Sequence, residues 1–313
     1  MIKLMFATDF HFRSMRPIAR VDENFFEVQL AKLGHLAILS KGMNACLLGG
    51  DIFDRPDVGP GVIIKVMREL AKFKCPVYTV IGNHEVYGYE GQSIERSALG
   101  VLFEHGCINR LDYLGFPGVH IYGVHAFDKP TWVVPEADEK KIIVAHKMIT
   151  NNPIPNVDCI MVDALAKVTN ADVILSGDIH YPHTVEIGEK LFINTGSVSR
   201  MSISDRARLP QAIILTIDGN DVSHKYVKIP AKLGADVFNM ADYSAKIEAE
   251  THTKDFVKAY ASVVFSVKAE AHKIADVLAK FMKDNNVSGN MQGMVNTYYK
   301  NAEVQVLKNS KEE

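Results

Sequence analysis

Five short apolar runs in this 313-residue chain each end in a knot of acidic, amide or imidazole residues. The knots are Asp9-Phe10-His11, Gly50-Asp51-Ile52-Phe53-Asp54, Gly82-Asn83-His84-Glu85, His146 and Gly177-Asp178-Ile179-His180. One such knot says little, because a DxH or GNH arises often by chance and a lone histidine after a strand is usually hydrogen-bonded scaffolding. Five in series, each closing an apolar run, point to a fold that gathers strand ends in one place. Open α/β sheets do this, since their ligand crevices lie outside the carboxyl ends of the strands.

The spacing of apolar residues supports that class. Ile2–Thr8, Ala45–Gly49 and Pro76–Ile81 read as strands, with later candidates at Val119–Val124, Ile142–Ala145, Val173–Leu175, Leu191–Asn194, Ala212–Ile217 and Val222–Ile229. Helical spacing occupies Asn24–Ser40, Val62–Phe73 and Ser93–Glu104. Alternation early and mostly strands later predict a layered α/β sandwich. The composition shifts near Pro230 to an Ala- and Lys-rich stretch, in which Phe256, Tyr260, Val264, Val267, Ile274, Leu278 and Phe281 trace one apolar stripe. The expected organisation is a domain over residues 1–230 and a smaller, mostly helical region over 231–313, whose stripe packs on its own domain or docks a partner.

Composition narrows the setting. With 47% hydrophobic and 23% charged residues the chain is an ordinary globular one, and disordered, collagen-like and disulfide-scaffold classes are excluded. No apolar run approaches a membrane span, and Met1–Thr8 reads as a first strand rather than a signal peptide. Cys46, Cys75, Cys107 and Cys159 lie far apart without a CxxC pair, so buried free thiols and a reducing, cytoplasmic compartment are expected, the host-cell cytoplasm if the source is viral. A net charge of −2 gives no global sign of a nucleic-acid binder, though a local basic stripe would be invisible to that sum.

The chemistry of the five knots is that of a two-metal hydrolase. Carboxylates and imidazoles without thiolates suit Mn²⁺, Fe²⁺ or Zn²⁺ in a catalytic rather than a structural site. A carboxylate such as Asp51 can bridge two cations, and two cations about 3.5–4 Å apart clamp a phosphate for in-line attack. On an extended backbone Asp9 and His11 would point the same way, as would Asp178 and His180, because the strand period is two.

These motifs resemble the calcineurin-like metallophosphoesterase superfamily, with its D-x-H, G-D-x-x-[DH], G-N-H-[DE], H and G-H-x-H pattern. The likeness is nearest to the Mre11/SbcD DNA repair nucleases, through Gly50-Asp51-Ile52-Phe53-Asp54-Arg55-Pro56 and Asn194-Thr195-Gly196-Ser197-Val198-Ser199-Arg200, and it spans roughly residues 1–230. It implies a four-layered β-sandwich flanked by helices. One metal would lie on Asp9, His11, Asp51 and His180, and the second on Asp51, Asn83, His146 and Asp178. His84 would face the scissile phosphate as general acid or transition-state stabiliser, with Asp54 supporting it. The implied cofactors are two divalent ions, Mn²⁺ first, with Mg²⁺ or Fe²⁺ as alternatives. The implied activity is exo- or endonucleolytic processing of DNA ends in recombination or repair. The implied partners are a Rad50/SbcC-type ATPase and a second copy of the chain.

The chain departs from the pattern once, with Asp178 at the first histidine of G-H-x-H. Either a carboxylate substitutes as ligand and favours a harder ion than Zn²⁺, or the second site is weakened and the protein is a non-catalytic DNA-end or partner scaffold. Gly82-Asn83-His84-Glu85 also matches the phosphoprotein phosphatases, which makes a phosphatase of phosphoproteins or small phosphoesters the alternative enzyme. Arg13, Arg55 and Arg200, within a wider loop set of Arg16, Arg20, Lys147, Arg206 and Arg208, are candidates for phosphate contact. His183 is expected in an exposed loop, His125 at the pocket rim or a strand end, and Trp132 in packing.

Overall fold

The computed structural model describes residues 1–155, 157–239 and 272–285, with isolated positions between 287 and 296. The chain divides into two compact units, Met1–Tyr243 and Ser244–Glu313. In the first, β1 (Ile2–Ala7), α1 (Phe25–Leu39), β2 (Ala45–Leu48), α2 (Pro60–Leu70), β3 (Val77–Thr79), α3 (Ala98–Glu104) and β4 (Asn109–Arg110) follow in order. Next come β5 (Tyr113–Phe116), β6 (Val119–Val124), β7 (Lys140–His146), β8 (Ile149–Thr150), β9 (Ile160–Met161), α4 (Val162–Val168) and β10 (Val173–Gly177). The last strands are β11 (His183–Ile187), β12 (Lys190–Asn194), β13 (Gln211–Asp218) and β14 (Asp221–Lys228).

Two six-stranded sheets result, in the orders β14-β13-β1-β2-β3-β4 and β11-β12-β10-β7-β6-β5. Their facing sides share one core, built by Leu4, Phe6, Leu47, Ile142, Val144, Leu175, Ile213 and Leu215. The alternate residues of β1, Met5 and Ala7, face outward with Cys46 and Leu48 into a second core beneath Leu33 and Leu36 of α1 and Val66 of α2. Ile143, Ala145 and Ile174 form a third with Leu165 of α4. The order is therefore helices, sheet, sheet, helix, the four-layered α/β sandwich expected from the sequence. Central strands buried on both faces are largely apolar, as Leu4–Ala7 of β1, Ala45–Leu48 of β2 and Val173–Leu175 of β10 are.

The expected helix over Ser93–Glu104 is broken. A 3-10 stretch covers Gly91–Arg96 and α3 starts only at Ala98, where Ser97 caps it by accepting the Gly100 N–H at 3.1 Å. Of the four cysteines, all free, only Cys46 is fully buried. Past Pro230 the chain still belongs to the first unit, and Phe238 packs with Val237, Ile203 and Ala19. In the second unit a helix runs from His272 to Asp284, with Leu278 and Met282 buried; the apolar stripe from Phe256 to Val267 lies outside the described residues. Among the described residues no helix is long and apolar enough to cross a membrane.

Candidate metal centre

The site lies where parallel strands end. β1, β2 and β3 run parallel side by side in one sheet, as do β7 and β10 in the other, so their carboxyl ends fall on one edge of the sandwich. Asp9 and His11 follow β1, Asp51 follows β2, Asn83 and His84 follow β3, His146 closes β7, and Asp178 and His180 follow β10.

The backbone reaches this convergence by turning, not by the extended geometry expected for Asp9–His11 and Asp178–His180. Asp9 (φ 57°), His11 (φ 46°), Asp51 (φ 51°) and Asp178 (φ 80°) all occupy the left-handed region. Among the described residues they are four of the five non-glycine residues found there, and such conformations persist only where surrounding contacts over-determine them. The glycines of the motifs make room. A Cβ on Gly82 would stand 2.0 Å from Asp51 Oδ1, and one on Gly50 (φ +91°) would stand 2.5 Å from His146 Nδ1.

Asp51 is at the middle. Its Oδ2 lies 3.4 Å from His146 Nε2, 3.7 Å from His11 Nε2 and 3.9 Å from His84 Nε2. On one side His11 and His180 face each other through their Nε2 atoms at 3.1 Å, with Asp9 Oδ1 4.0 Å from His11 Nε2. On the other, His146 Nε2 meets Asn83 Oδ1 at 3.0 Å and Asp178 Oδ1 at 3.9 Å. Two sets of donor atoms close enough to share an ion, Asp9/His11/His180 and Asp9/Asp51/His146, correspond to these two sides. A third, His11/Asp54/His84, adjoins them.

Hydrogen bonds around the donors fix their orientation. His146 Nδ1–H donates to Gly49 O at 2.6 Å and His84 Nδ1–H to Asp54 O at 2.8 Å, so both Nε2 atoms are turned to the centre. Thr8 Oγ1 donates to Asp9 Oδ2 at 2.8 Å. Asp54 supports His84 through its backbone carbonyl; its carboxylate pairs instead with Arg13 at 3.0 Å.

Electrostatically the centre is a set of buried carboxylates with no lysine or arginine ion-pair partner among the described residues. Asp9 and Asp51 are buried, and among the described residues their only ion-pair partners are histidines. Burial pushes Asp9 up to about 6, with His180 and His146 pulling back. Burial takes His11 down to about 3 against the pull of Asp51. For His146 burial opposes the charge, but Asp51 outweighs it and raises the pKa. Burial also raises Asp178, against His146. Burial of unpaired carboxylates is costly unless a cation neutralises them. Facing imidazole nitrogens and buried carboxylate oxygens fit divalent ions.

The sequence reading missed the supports of this centre. Glu85, read only as a family ambiguity, is fully buried; its Oε2 accepts the N–H groups of Gly82 (2.7 Å) and Asp51 (3.1 Å), and its Oε1 accepts that of Phe53 (3.0 Å). Burial and the nearby Asp51 push it up to about 7. Gln29 of α1 donates to Phe10 O at 2.9 Å and His11 O at 2.8 Å. Nothing but adjacency to Gly82-Asn83-His84 marked Glu85, and Gln29 sat unremarked among apolar helix positions.

The candidate phosphate contacts separate. Arg13 is one-third exposed beside Asp54, and Arg55 is exposed with Asp57 3.4 Å away. Arg200 is not available to DNA: it is 1% exposed, and its guanidinium donates to the carbonyls of Arg208 and Lys232. Arg20 and Arg208, from the wider set, are likewise buried. His183 lies half-buried on β11 rather than in an exposed loop. His125 is buried, accepting the Ile81 N–H at 3.0 Å. Trp132 packs in the third core, as expected.

Residues 2–182 match the family model Calcineurin-like phosphoesterase. The chain belongs to the calcineurin-like phosphoesterase family. Within that family it is similar to the DNA double-strand break repair protein Mre11 of Methanosarcina mazei, 26% identical over 237 residues, covering 71% of this chain and 36% of that protein. The Mre11 protein of Halobacterium salinarum is 26% identical over 183 residues, 54% of this chain and 44% of the relative. The chain thus spans less than half the length of these curated relatives. A solved structure from Thermus thermophilus matches at 12% identity and a TM-score of 0.45, covering 72% of this chain and 98% of that one.

Proposed function

We propose that the chain is a divalent-metal-dependent phosphodiesterase that cuts DNA, an Mre11/SbcD-type nuclease of end processing, recombination or repair. The position of Asp51 carries this reading. One of its carboxylate oxygens lies 3.7 Å from His11 Nε2, in one donor set, and 3.4 Å from His146 Nε2, in the other, with His84 Nε2 3.9 Å away, a position suited to a bridging ligand. The name of the relatives, DNA double-strand break repair protein, supports DNA as the substrate.

Asp9, His11, Asp51 and His180 would hold one ion, and Asp51, Asn83, His146 and Asp178 the other, with Mn²⁺ the best match to oxygen and nitrogen donors and Mg²⁺ or Fe²⁺ the alternatives. When bound, such ions supply Lewis acidity toward a phosphoryl oxygen and lower the pKa of water. His84 acts on the leaving group. Its Nδ1–H is committed to Asp54 O, which leaves Nε2, on a ring 40% exposed, to hold the proton that a departing sugar alkoxide needs. Burial opposes a charged His84, but Asp51 and Asp54 outweigh it and raise its pKa, which favours the protonated ring. Arg13 and Arg55 offer guanidinium groups to flanking phosphates.

The test is incubation of the full chain with end-labelled single- and double-stranded DNA and Mn²⁺, beside His84→Ala. Cleavage should occur and drop by on the order of 10²–10⁴ in the variant, with Mn²⁺ affinity retained. Turnover of a phosphomonoester without DNA cleavage would move the assignment to a phosphatase; failure of both would leave a scaffold.

A further inference from the structure

The Asn194–Arg200 motif contributes no group to the metal donor sets, and Arg200 at its end is buried, so the motif needs another explanation. The structure places it under the Asp9–His11 turn. Val198 N–H donates to Thr8 O at 3.0 Å and Ser199 N–H to Asp9 O at 3.3 Å. Ser197 Oγ donates to Asp9 O at 2.9 Å and Ser199 Oγ to Phe10 O at 2.5 Å. The segment is thus a platform carrying three consecutive carbonyls of the turn whose Asp9 and His11 both sit at positive φ.

The platform's own carbonyls are held in turn by buried basic side chains. Arg208 donates to Ser197 O and to Ser199 O, and Arg20 to Arg200 O at 2.9 Å. Lys32 of α1 donates to Val198 O at 2.7 Å. Lys32 is the unusual member: it is 3% exposed, and among the described residues no carboxylate forms an ion pair with it. It stands beside Arg20, Arg200 and Arg208, which together with burial bring its pKa down to about 7. A buried ammonium surrounded by guanidinium groups is an expensive way to fill a core position, and one turn of helix away Gln29 already grips Phe10 O, His11 O and Ser199 Oγ.

We propose that Lys32 is a positioning residue for the metal-ligand turn Asp9–His11, acting through the carbonyl of Val198 and the Ser197–Arg200 platform. The inference rests on the metal-centre reading of the site. Outer partners that orient ligands typically change metal affinity by about 10–100-fold when removed, without touching the ion themselves.

The experiment is a calorimetric Mn²⁺ titration of the EDTA-treated full chain, comparing wild type, Lys32→Met and, as a control at an exposed lysine, Lys65→Met. Lys32→Met should weaken Mn²⁺ by about tenfold or more while still melting cooperatively, and Lys65→Met should bind as wild type does. A purely structural lysine would lower the melting temperature and leave the affinity of the folded protein unchanged, and that result overturns the proposal. Ser199→Ala, which removes a platform contact without disturbing a buried charge, keeps the test open if Lys32→Met does not fold. It should also weaken Mn²⁺, and wild-type affinity in Ser199→Ala overturns the proposal by itself. If wild type takes up no Mn²⁺, the metal-centre reading fails first and this inference with it.

Discussion

Asp178 stands where the family pattern carries a histidine, and its surroundings indicate what a carboxylate does there. It is three-quarters buried, its Oδ1 is 3.9 Å from His146 Nε2, and its backbone N–H donates to Asp9 Oδ1 at 3.2 Å. Replacing the carboxylate by the softer imidazole should change metal preference more than fold, so Asp178→His is expected to raise the Zn²⁺-to-Mn²⁺ affinity ratio on competitive titration. An unchanged ratio would exclude residue 178 from the ligand set. Lys32 supplies a second expectation, free of any ion. Its folded pKa of about 7 lies below the ordinary 10.5, so between these values the unfolded chain holds more protons and stability rises with pH. From pH 7 to about 8.5 the EDTA-treated wild type should gain stability over Lys32→Met, on the order of 1–2 kcal/mol, in denaturant titrations. A constant gap would show that Lys32 does not titrate there. At this scale the ligand candidates were legible because their types and order are distinctive. Glu85, Gln29 and Lys32 were not, because a buried polar residue within an apolar pattern shows nothing of its partner until the chain is folded.

The working parts of the elements are their ends. Each strand delivers a backbone that must leave the sheet abruptly, and the motif glycines exist for that geometry. Gly82 has no space for a side chain, since its Cβ would meet Asp51 Oδ1 at 2.0 Å and the Asp51 backbone nitrogen at 2.5 Å. Gly82→Ala should therefore cost about 1–3 kcal/mol and displace Asp51, lowering the melting temperature and abolishing tight Mn²⁺ binding together. Wild-type Mn²⁺ affinity in that variant would mean that Asp51 is not where binding depends on it. The long apolar strands and α1 were readable from periodicity. The two-residue strands β4, β8 and β9 were not, being too short to carry a pattern. Nor was the positive φ of Asp9, His11, Asp51 and Asp178, which depends on tertiary contacts rather than on residue type.

Across the first unit, the two-sheet sandwich brings strand ends from both sheets to one edge, and the basic groups near that edge test the proposal that DNA is the substrate. Arg55 is exposed and Arg13 is one-third exposed beside Asp54, whereas Arg200 spends its guanidinium on carbonyls in the interior. Losing one phosphate contact should lower the slope of log affinity against log salt by about 0.7–0.9. Arg13→Ala and Arg55→Ala are expected to show that change in DNA binding, while Arg200→Ala should reduce stability and leave the slope intact. The reverse pattern would place the DNA on another face. The resemblance implies a Rad50/SbcC-type ATPase and a second copy of the chain as partners; if it holds, the full chain should co-elute with such an ATPase, and a lone monomer in its presence would remove both roles. The decisive measurement is electron paramagnetic resonance of the full chain loaded with Mn²⁺. If Asp51 bridges two ions, the spectrum should be that of an exchange-coupled Mn²⁺ pair, with two ions bound per chain and the coupling lost in Asp51→Asn. A sharp sextet from one isolated Mn²⁺ per chain would contradict a two-metal centre at the meeting point of these strands.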